Sequence, residues 1–226
     1  MNAAVLLVAA GRGERLGTDV PKAFVEIRGR SLLQLCVIAL SAVPEVGLVV
    51  AIVPLGREDD ARAALSTLGP RVETVAGGET RQASVRAGLA ALPRDSDAVV
   101  CHDVARPFAS PRLYRAVLGA LQGADGAVPA LPVADTVKRV EESRVVESLP
   151  RDELVFVQTP QAFRRGALEE SHQRAVETAM TATDDAALLE AAGFRIVTVP
   201  GDARNLKITT PADLEIAAAF AGSADG

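Results

Sequence analysis

Six short runs of apolar residues, separated by stretches with helical spacing, constrain this chain more than any other feature of its sequence. They are AVLLVAA (4–10), GLVVAIVP (47–54), RVETVAG (71–77), DAVVCHD (97–103), GAVPALPV (126–133) and RIVTVP (195–200). Most are continuously apolar rather than alternating, which is the pattern of strands covered on both faces. Such strands, alternating with helices, predict an α/β fold: an open, mostly parallel central sheet with helices on both faces. Composition agrees, because with 49% hydrophobic residues, 3% aromatic and no Trp, the core has to be built from Val, Leu, Ile and Ala. The 226 residues are enough for a well-buried core and are read as one domain, 1–226.

Between the strands the helices announce their starts. Ser31 followed by Gln34 is a capping-box pattern ahead of LLQLCVIAL. Ser110 before Pro111, and Thr210 before Pro211, each put a capping hydroxyl in front of a proline at the first helical position. No internal repeat is found, and the tail AGSADG (221–226) is expected to fray.

Several classes of function are excluded on these grounds. The net charge is −5 and no long basic run occurs, so the electrostatic footprint of a nucleic-acid binder is missing. The run AAVLLVAA lacks a preceding positive charge and is too short to span a bilayer, and no later segment reaches that length without a charge or a breaker. A cytoplasmic protein without membrane spans is expected. Cys36 and Cys101 lack metal-ligand spacing and sit in apolar segments, where cysteine acts as a small hydrophobe.

One segment breaks the alternation. Residues 134–160 hold two alternating stretches, TVKRV and RVVESL, around the polar EES, and read as a hairpin with an extent of approximately 134–157. Its apolar content is too thin for it to bury itself, so an arm that pairs with a second subunit and a solvated surface hairpin fit the pattern equally.

Ligands in open parallel sheets sit at the carboxyl ends of the strands. The residues there are GRGERLG, GGETRQAS and HDVARP, three polar turns that would converge on one crevice. The first fails the dinucleotide fingerprint, since Leu16 stands where the third glycine belongs, and fails the P-loop, since Gly17 is followed by Thr18 and Asp19. What remains is either a plain turn with two solvated cations or an anion site, with backbone N–H groups at Gly11 and Gly13 and side-chain charge from Arg15 and Lys22. In HDVARP, Asp103 at a strand end is a candidate Mg²⁺ ligand, or a structural partner for Arg106. His102 has no Ser or Cys nucleophile motif beside it and reads as a satisfied strand-end histidine, while His172, on a polar helix, is expected to be solvated. Gly78, Glu79 and Ser84 can read a nucleobase edge, and Arg81 can reach a phosphate or pair with Glu79. Lys207 stands on an extended piece before a capped helix.

The motifs AAGRGERLGTDVPKAF, AGGETRQASVRAGL, VCHDVARPF, PVADTVKR, QTPQAF, TDDAALLEAAG and RNLKITTPADL occur in the order of a known family. Together they resemble the 2-C-methyl-D-erythritol 4-phosphate cytidylyltransferases, Rossmann-like nucleotidyltransferases of the non-mevalonate isoprenoid pathway, from residue 4 to about 220. The resemblance implies transfer of a cytidylyl group from CTP to a polyol phosphate, with Mg²⁺ at Asp103 and a homodimer formed through the arm. It assigns the nucleotide to Ala9, Ala10, Gly11, Gly13, Arg15, Lys22, Gly78, Glu79, Ser84 and Asp103. The phosphorylated polyol falls to Arg106, Thr136, Arg151, Thr159, Thr183 and Lys207, with Thr136 and Arg151 reaching the partner's site. The catalytic set it implies is Arg15, Lys22, Lys207 and Arg151, the last placed by its eight-residue distance from Thr159. Glu79 stands where the family often has the shorter Asp. A cytidylyltransferase for another polyol phosphate, such as ribitol 5-phosphate, and a non-catalytic nucleotide-binding regulator are the competing expectations.

Overall fold

All six expected strands form, each ending within two residues of its predicted bounds. The computed structural model describes residues 2–11, 13–18 and 20–222, so the last four residues of the tail lie outside the described residues. In chain order the elements are β1 (Ala3–Val8), a small ribbon of β2 (Glu26–Ile27) and β3 (Arg30–Ser31), α1 (Leu32–Leu40), β4 (Val46–Val53), α2 (Glu58–Leu65), β5 (Arg71–Ala76), α3 (Arg81–Ala91), β6 (Ala98–Asp103) and α4 (Pro111–Ala120). They continue with β7 (Gly126–Pro132), β8 (Val137–Glu141), β9 (Arg144–Leu149), β10 (Val155–Val157), β11 (Gln161–Arg164), α5 (Arg165–Glu177), α6 (Asp185–Ala191), β12 (Ile196–Pro200) and α7 (Pro211–Gly222).

The capping residues behave as their chemistry requires. Ser31 Oγ accepts from the Gln34 N–H, and Gln34 Oε1 accepts from the Ser31 N–H, completing the box at α1. Ser110 caps α4 through the Leu113 N–H. At α7 the Thr210 hydroxyl accepts from the Asp213 N–H, and Asp213 Oδ2 accepts from the N–H groups of Thr209 and Thr210.

β1 lies in the middle of the sheet, parallel to β4 on one side and β6 on the other, with β5 beyond β4. On the far side of β6 the chain reverses: β11 is antiparallel to β6, β10 and β11 are both antiparallel to β7, and β12 runs parallel to β7. The sequence reading groups β10 with the arm and does not anticipate β11. Runs of three and four residues are too short to carry a period, and β10 is held by pairing with β7 rather than by its own pattern.

Alternation along β1 divides the core. Ala3, Val5 and Leu7 face a layer formed by α1, α2, α4 and α7, while Ala4 and Leu6 face α3, α5 and α6. Cys36 and Cys101 are buried in these two layers as small apolar side chains. No helix among the described residues is long and apolar enough to cross a membrane.

The hairpin of β8 and β9 pairs away from the main sheet, and its tip residues Glu142 and Ser143 both take positive φ, 46° and 69°. A two-residue reversal of this hand matches the strand twist even without glycine. Val140 and Val145, opposite each other across the hairpin, are exposed, and so are all three residues of β10.

Leu6 is fully enclosed between β4, β6 and α3, so Leu6→Ala is expected to lower the free energy of urea unfolding by about 2–5 kcal/mol, and a loss well under that range would show that this layer repacks freely.

Candidate active site

The loop after β1 is pinned at two points before it offers anything to a ligand. Leu16 and Ala23 are buried in the core, and the short 3₁₀ turns Glu14–Leu16 and Lys22–Phe24 bracket the exposed residues Gly17, Thr18 and Val20. Gly13 has φ 73°, and a Cβ on it would stand 2.7 Å from Lys22 Cβ, so glycine is what lets the loop close over the lysine. Lys22 Nζ in turn donates to the Ile208 carbonyl at 2.8 Å, which ties this loop to the segment before α7.

The turn after β5 packs just as closely. A Cβ on Gly77 would lie 2.3 Å from Ala10 Cβ, and Ser84 Oγ, from α3, accepts from the Gly78 N–H at 3.1 Å and donates to the Thr80 carbonyl at 2.9 Å. The Ser84 hydroxyl is thus spent on shaping the turn, and Glu79 beside it is left exposed.

Together these loops and the end of β6 form a cleft of about 1270 Å³ at the carboxyl ends of β1, β4, β5 and β6. Of the residues assigned from sequence, Ala10, Gly11, Gly13, Arg15 and Lys22 line it from one side, and Gly78, Glu79, Ser84 and Asp103 from the other. Ala9 lies beneath, buried, with its N–H donating to the Ile52 carbonyl at 2.8 Å. Lys207 joins through Asp103, its Nζ 2.9 Å from Oδ2, on a segment rooted by the buried residues Asn205 and Ile208.

The polyol residues divide differently. Arg106 does not pair with Asp103: its Nη1 donates to the Asn205 carbonyl at 2.7 Å, because the turn after β6 aims it at the segment before α7. Thr159 is buried under Asp103, where its hydroxyl accepts from the Asp103 N–H and meets His102 Nδ1, both at 3.1 Å. The Arg106 carbonyl beside Nε2 can only accept, so the neutral His102 ring carries its proton at Nε2, and its Nδ1 accepts from the Thr159 hydroxyl. Thr183 is exposed, and Thr136 and Arg151 sit at the foot of the hairpin, where Arg151 Nη1 donates to the Ala134 carbonyl at 2.6 Å. None of these three lines the cleft of this chain.

Two residues depart from what the sequence suggests. His172 is not solvated: it is buried against α6, its Nε2 3.1 Å from Asp185 Oδ1, because the face of α5 that carries it packs inward despite its polar composition. Arg81 turns away from Glu79 and bridges Asp103 at 3.1 Å and Asp185 at 2.8 Å. Asp185 is a residue that the sequence reading misses. The signal for it is the doublet in TDDAALL, where Asp184 caps α6 through the Ala187 N–H and so frees the second aspartate to point inward.

The electrostatics follow from this packing. Burial alone would raise the Asp103 carboxyl, but the charges of Arg81 and Lys207 outweigh it and hold the group well below the usual carboxylate range. Lys22 is pushed down by burial and then by the nearby charges of Lys207 and Arg15. Lys22, Lys207 and Arg15 are thus close enough to repel one another at a cleft where Asp103 is already paired, an arrangement complementary to an anion.

Almost the whole chain, residues 3–223, matches the model of the family described as IspD: 2-C-methyl-D-erythritol 4-phosphate cytidylyltransferase. The chain belongs to this family. It is 46% identical over 223 residues to the 2-C-methyl-D-erythritol 4-phosphate cytidylyltransferase of Deinococcus radiodurans, covering 99% of this chain and 91% of that one. The crystal structure of the enzyme of the same name from Thermus thermophilus superposes with a TM-score of 0.82 at 38% identity, covering 98% and 99% of the two chains. A relative from Nitratidesulfovibrio vulgaris, the bifunctional enzyme IspD/IspF, is 44% identical over 93% of this chain, which spans 56% of that longer protein. The chain is a nucleotidyltransferase with the mostly parallel α/β fold expected from its strand pattern.

His102 supplies a check on the buried layer under the cleft. Burial pushes its imidazole down from 6.5 to about 4. Between those values the unfolded chain holds the extra proton and the folded chain does not, so stability falls as the pH drops from 6.5 towards 4. Urea unfolding across this window is expected to show that slope, and His102→Gln, which cannot titrate, to flatten it; equal slopes in both proteins would contradict the assignment.

Proposed function

We propose that the cleft transfers the cytidylyl group of CTP to 2-C-methyl-D-erythritol 4-phosphate, releasing pyrophosphate, in isoprenoid biosynthesis. The observation that carries this reading is the gathering of Arg15, Lys22 and Lys207 near Asp103 at the cleft, in a chain that matches the family along its length. A phosphate oxygen of the polyol attacks the α-phosphorus of CTP, and the bond from that phosphorus to the oxygen bridging to the β-phosphate breaks. The nucleophile is already an anion, so no strong base is needed. The difficulty is bringing two anions together and holding the charge that grows on the transferring group, which is work for fixed cations and backbone donors.

In this reading the glycine loop, Arg15 and Lys22 hold the triphosphate, with Arg15 offering a planar fork and Lys22 a point charge anchored at Ile208. Gly78 and Glu79 face the base and ribose, and Ala9, Ala10 and Ser84 shape that pocket from below. Lys207 receives the polyol phosphate beside Arg106, and Thr159 acts through the Asp103 backbone it supports.

A divalent cation suits the same place. Among the described residues no group of three His, Cys, Asp or Glu side chains could cage a metal, so an ion there would rest on Asp103 and on ligand oxygens. Each Asp103 oxygen accepts from a single side-chain donor, which leaves lone pairs for Mg²⁺, an ion that favours one carboxylate together with phosphate oxygens and water. Its contribution would be to neutralise phosphate charge.

The hairpin supports a homodimer. A two-stranded ribbon is marginal by itself, and Val140, Val145 and the three apolar side chains of β10 are exposed. Thr136 and Arg151 at its foot would then complete the partner's cleft rather than their own. A cytoplasmic location fits a chain whose two cysteines are free and buried.

With CTP, methylerythritol phosphate and Mg²⁺, the protein is expected to release pyrophosphate, faster than with ribitol 5-phosphate, and Lys22→Ala or Arg15→Ala to lower kcat by roughly 100-fold or more with an unchanged melting curve. Near-normal turnover in both variants would defeat the assignment. For the arm, Arg151→Ala should mainly impair use of the polyol phosphate, and hybrid dimers of it with Lys22→Ala should recover some turnover, because one of their two clefts joins an intact Lys22 to an intact Arg151. Verified hybrids without recovery would place both residues in one subunit's site.

A further inference from the structure

Behind Asp103 runs a line of paired side chains that the reaction as described does not use. Arg81, the first residue of α3, donates from Nε to Asp103 Oδ1 at 3.1 Å and from Nη1 to Asp185 Oδ2 at 2.8 Å, and Asp185 Oδ1 accepts from His172 Nε2 at 3.1 Å. On its other side Asp103 meets Lys207. The line runs from water into the core: its outer end, the Lys207 side chain, is 47% exposed, and Asp185 near its inner end is 1% exposed.

The two cations on Asp103 are therefore not equivalent. Lys207 is half in water on a flexible stem, and its role in the proposed reaction takes it to a phosphate. Arg81 is fixed at a helix start, and its planar fork is shared between two carboxylates, an arrangement that a lysine cannot reproduce. Asp185 cannot release it, because an unpaired carboxylate at that depth would be strongly unfavourable. His172 in turn fixes Asp185.

We infer that Arg81, locked from behind by Asp185 and His172, is a positioning residue for Asp103, keeping that carboxylate in place when Lys207 turns from it to the substrate's phosphate. The inference rests on the function proposed above. It explains why the line extends so far into the core: each member removes a direction in which the one before it could turn. It also gives a role to the buried polar residues that α5 and α6 carry inward, which packing alone would have filled with apolar side chains.

A double-mutant cycle tests it. In the pyrophosphate assay Arg81→Gln is expected to lower kcat by roughly 30-fold or more with KM for CTP within about threefold, whereas in an Asp103→Asn background the same change should cost less than about threefold, since the group it positions is already impaired. Arg81→Lys, which keeps the charge but loses the fork, should fall between wild type and Arg81→Gln. If thermal melts show that Arg81→Gln does not fold, Arg81→Lys carries the same cycle. Losses that simply multiply in the double mutant, a loss confined to KM, or no loss at all would overturn the inference. Wild-type protein that does not turn over in this assay would instead overturn the proposed reaction, so the two failures are distinguishable.

Discussion

β1 is hydrogen-bonded along both edges, to β4 and β6, and covered on both faces, and the polar chemistry of the chain is arranged around the point where it ends. Parallel pairing puts the carboxyl ends of β1, β4, β5 and β6 at one side of the sheet, so the loops that leave them have to meet there. Enclosure on both faces means that the strands cannot slide or tilt to suit a ligand. The loops inherit that rigidity: Leu16 and Ala23 root the glycine turn in the same core, and Gly77 presses against Ala10 with no room for a side chain.

On this base the cleft is built from charge fixed before any substrate arrives. Asp103 emerges from β6 with its backbone N–H held by Thr159 and its carboxylate held by Arg81 and Lys207. Lys22 is held by Ile208, and its ammonium is disfavoured by burial and by the cations around it. The transfer proposed for this cleft gains from the arrangement because Asp103, held by Arg81 and Thr159, and Lys22, held by Ile208, are already in place. The segment 201–208, stitched to Gln158, Thr159 and Ala105 by backbone and amide hydrogen bonds, brings Lys207 to this point from a distant part of the chain.

Residues that act through their own local pattern are legible in the sequence. The apolar runs name the strands, Ser31, Ser110 and Thr210 name helix starts, and the glycine-rich turn with Arg15 and Lys22 is recognisable as a candidate anion site even where standard templates fail. Short strands are not legible, because β10 and β11 owe their conformation to β7 and β6 rather than to a period of their own. The polar surroundings of His172 on its helix point to solvent, but they do not report which face of that helix packs inward.

Sequence by itself determined the α/β class and, through the resemblance of its ordered motifs, the family, because strand period, helix caps and motif order survive without knowledge of the neighbours. Tertiary structure alone decided the pairings: that Arg81 joins Asp103 to Asp185 rather than to Glu79, that Arg106 bonds Asn205 rather than Asp103, and that Thr159 supports His102 and the Asp103 backbone. Each of these contacts links residues brought together by separate strands and helices. Which partner a buried charge finds is set by where those elements cross, and a linear pattern does not record that.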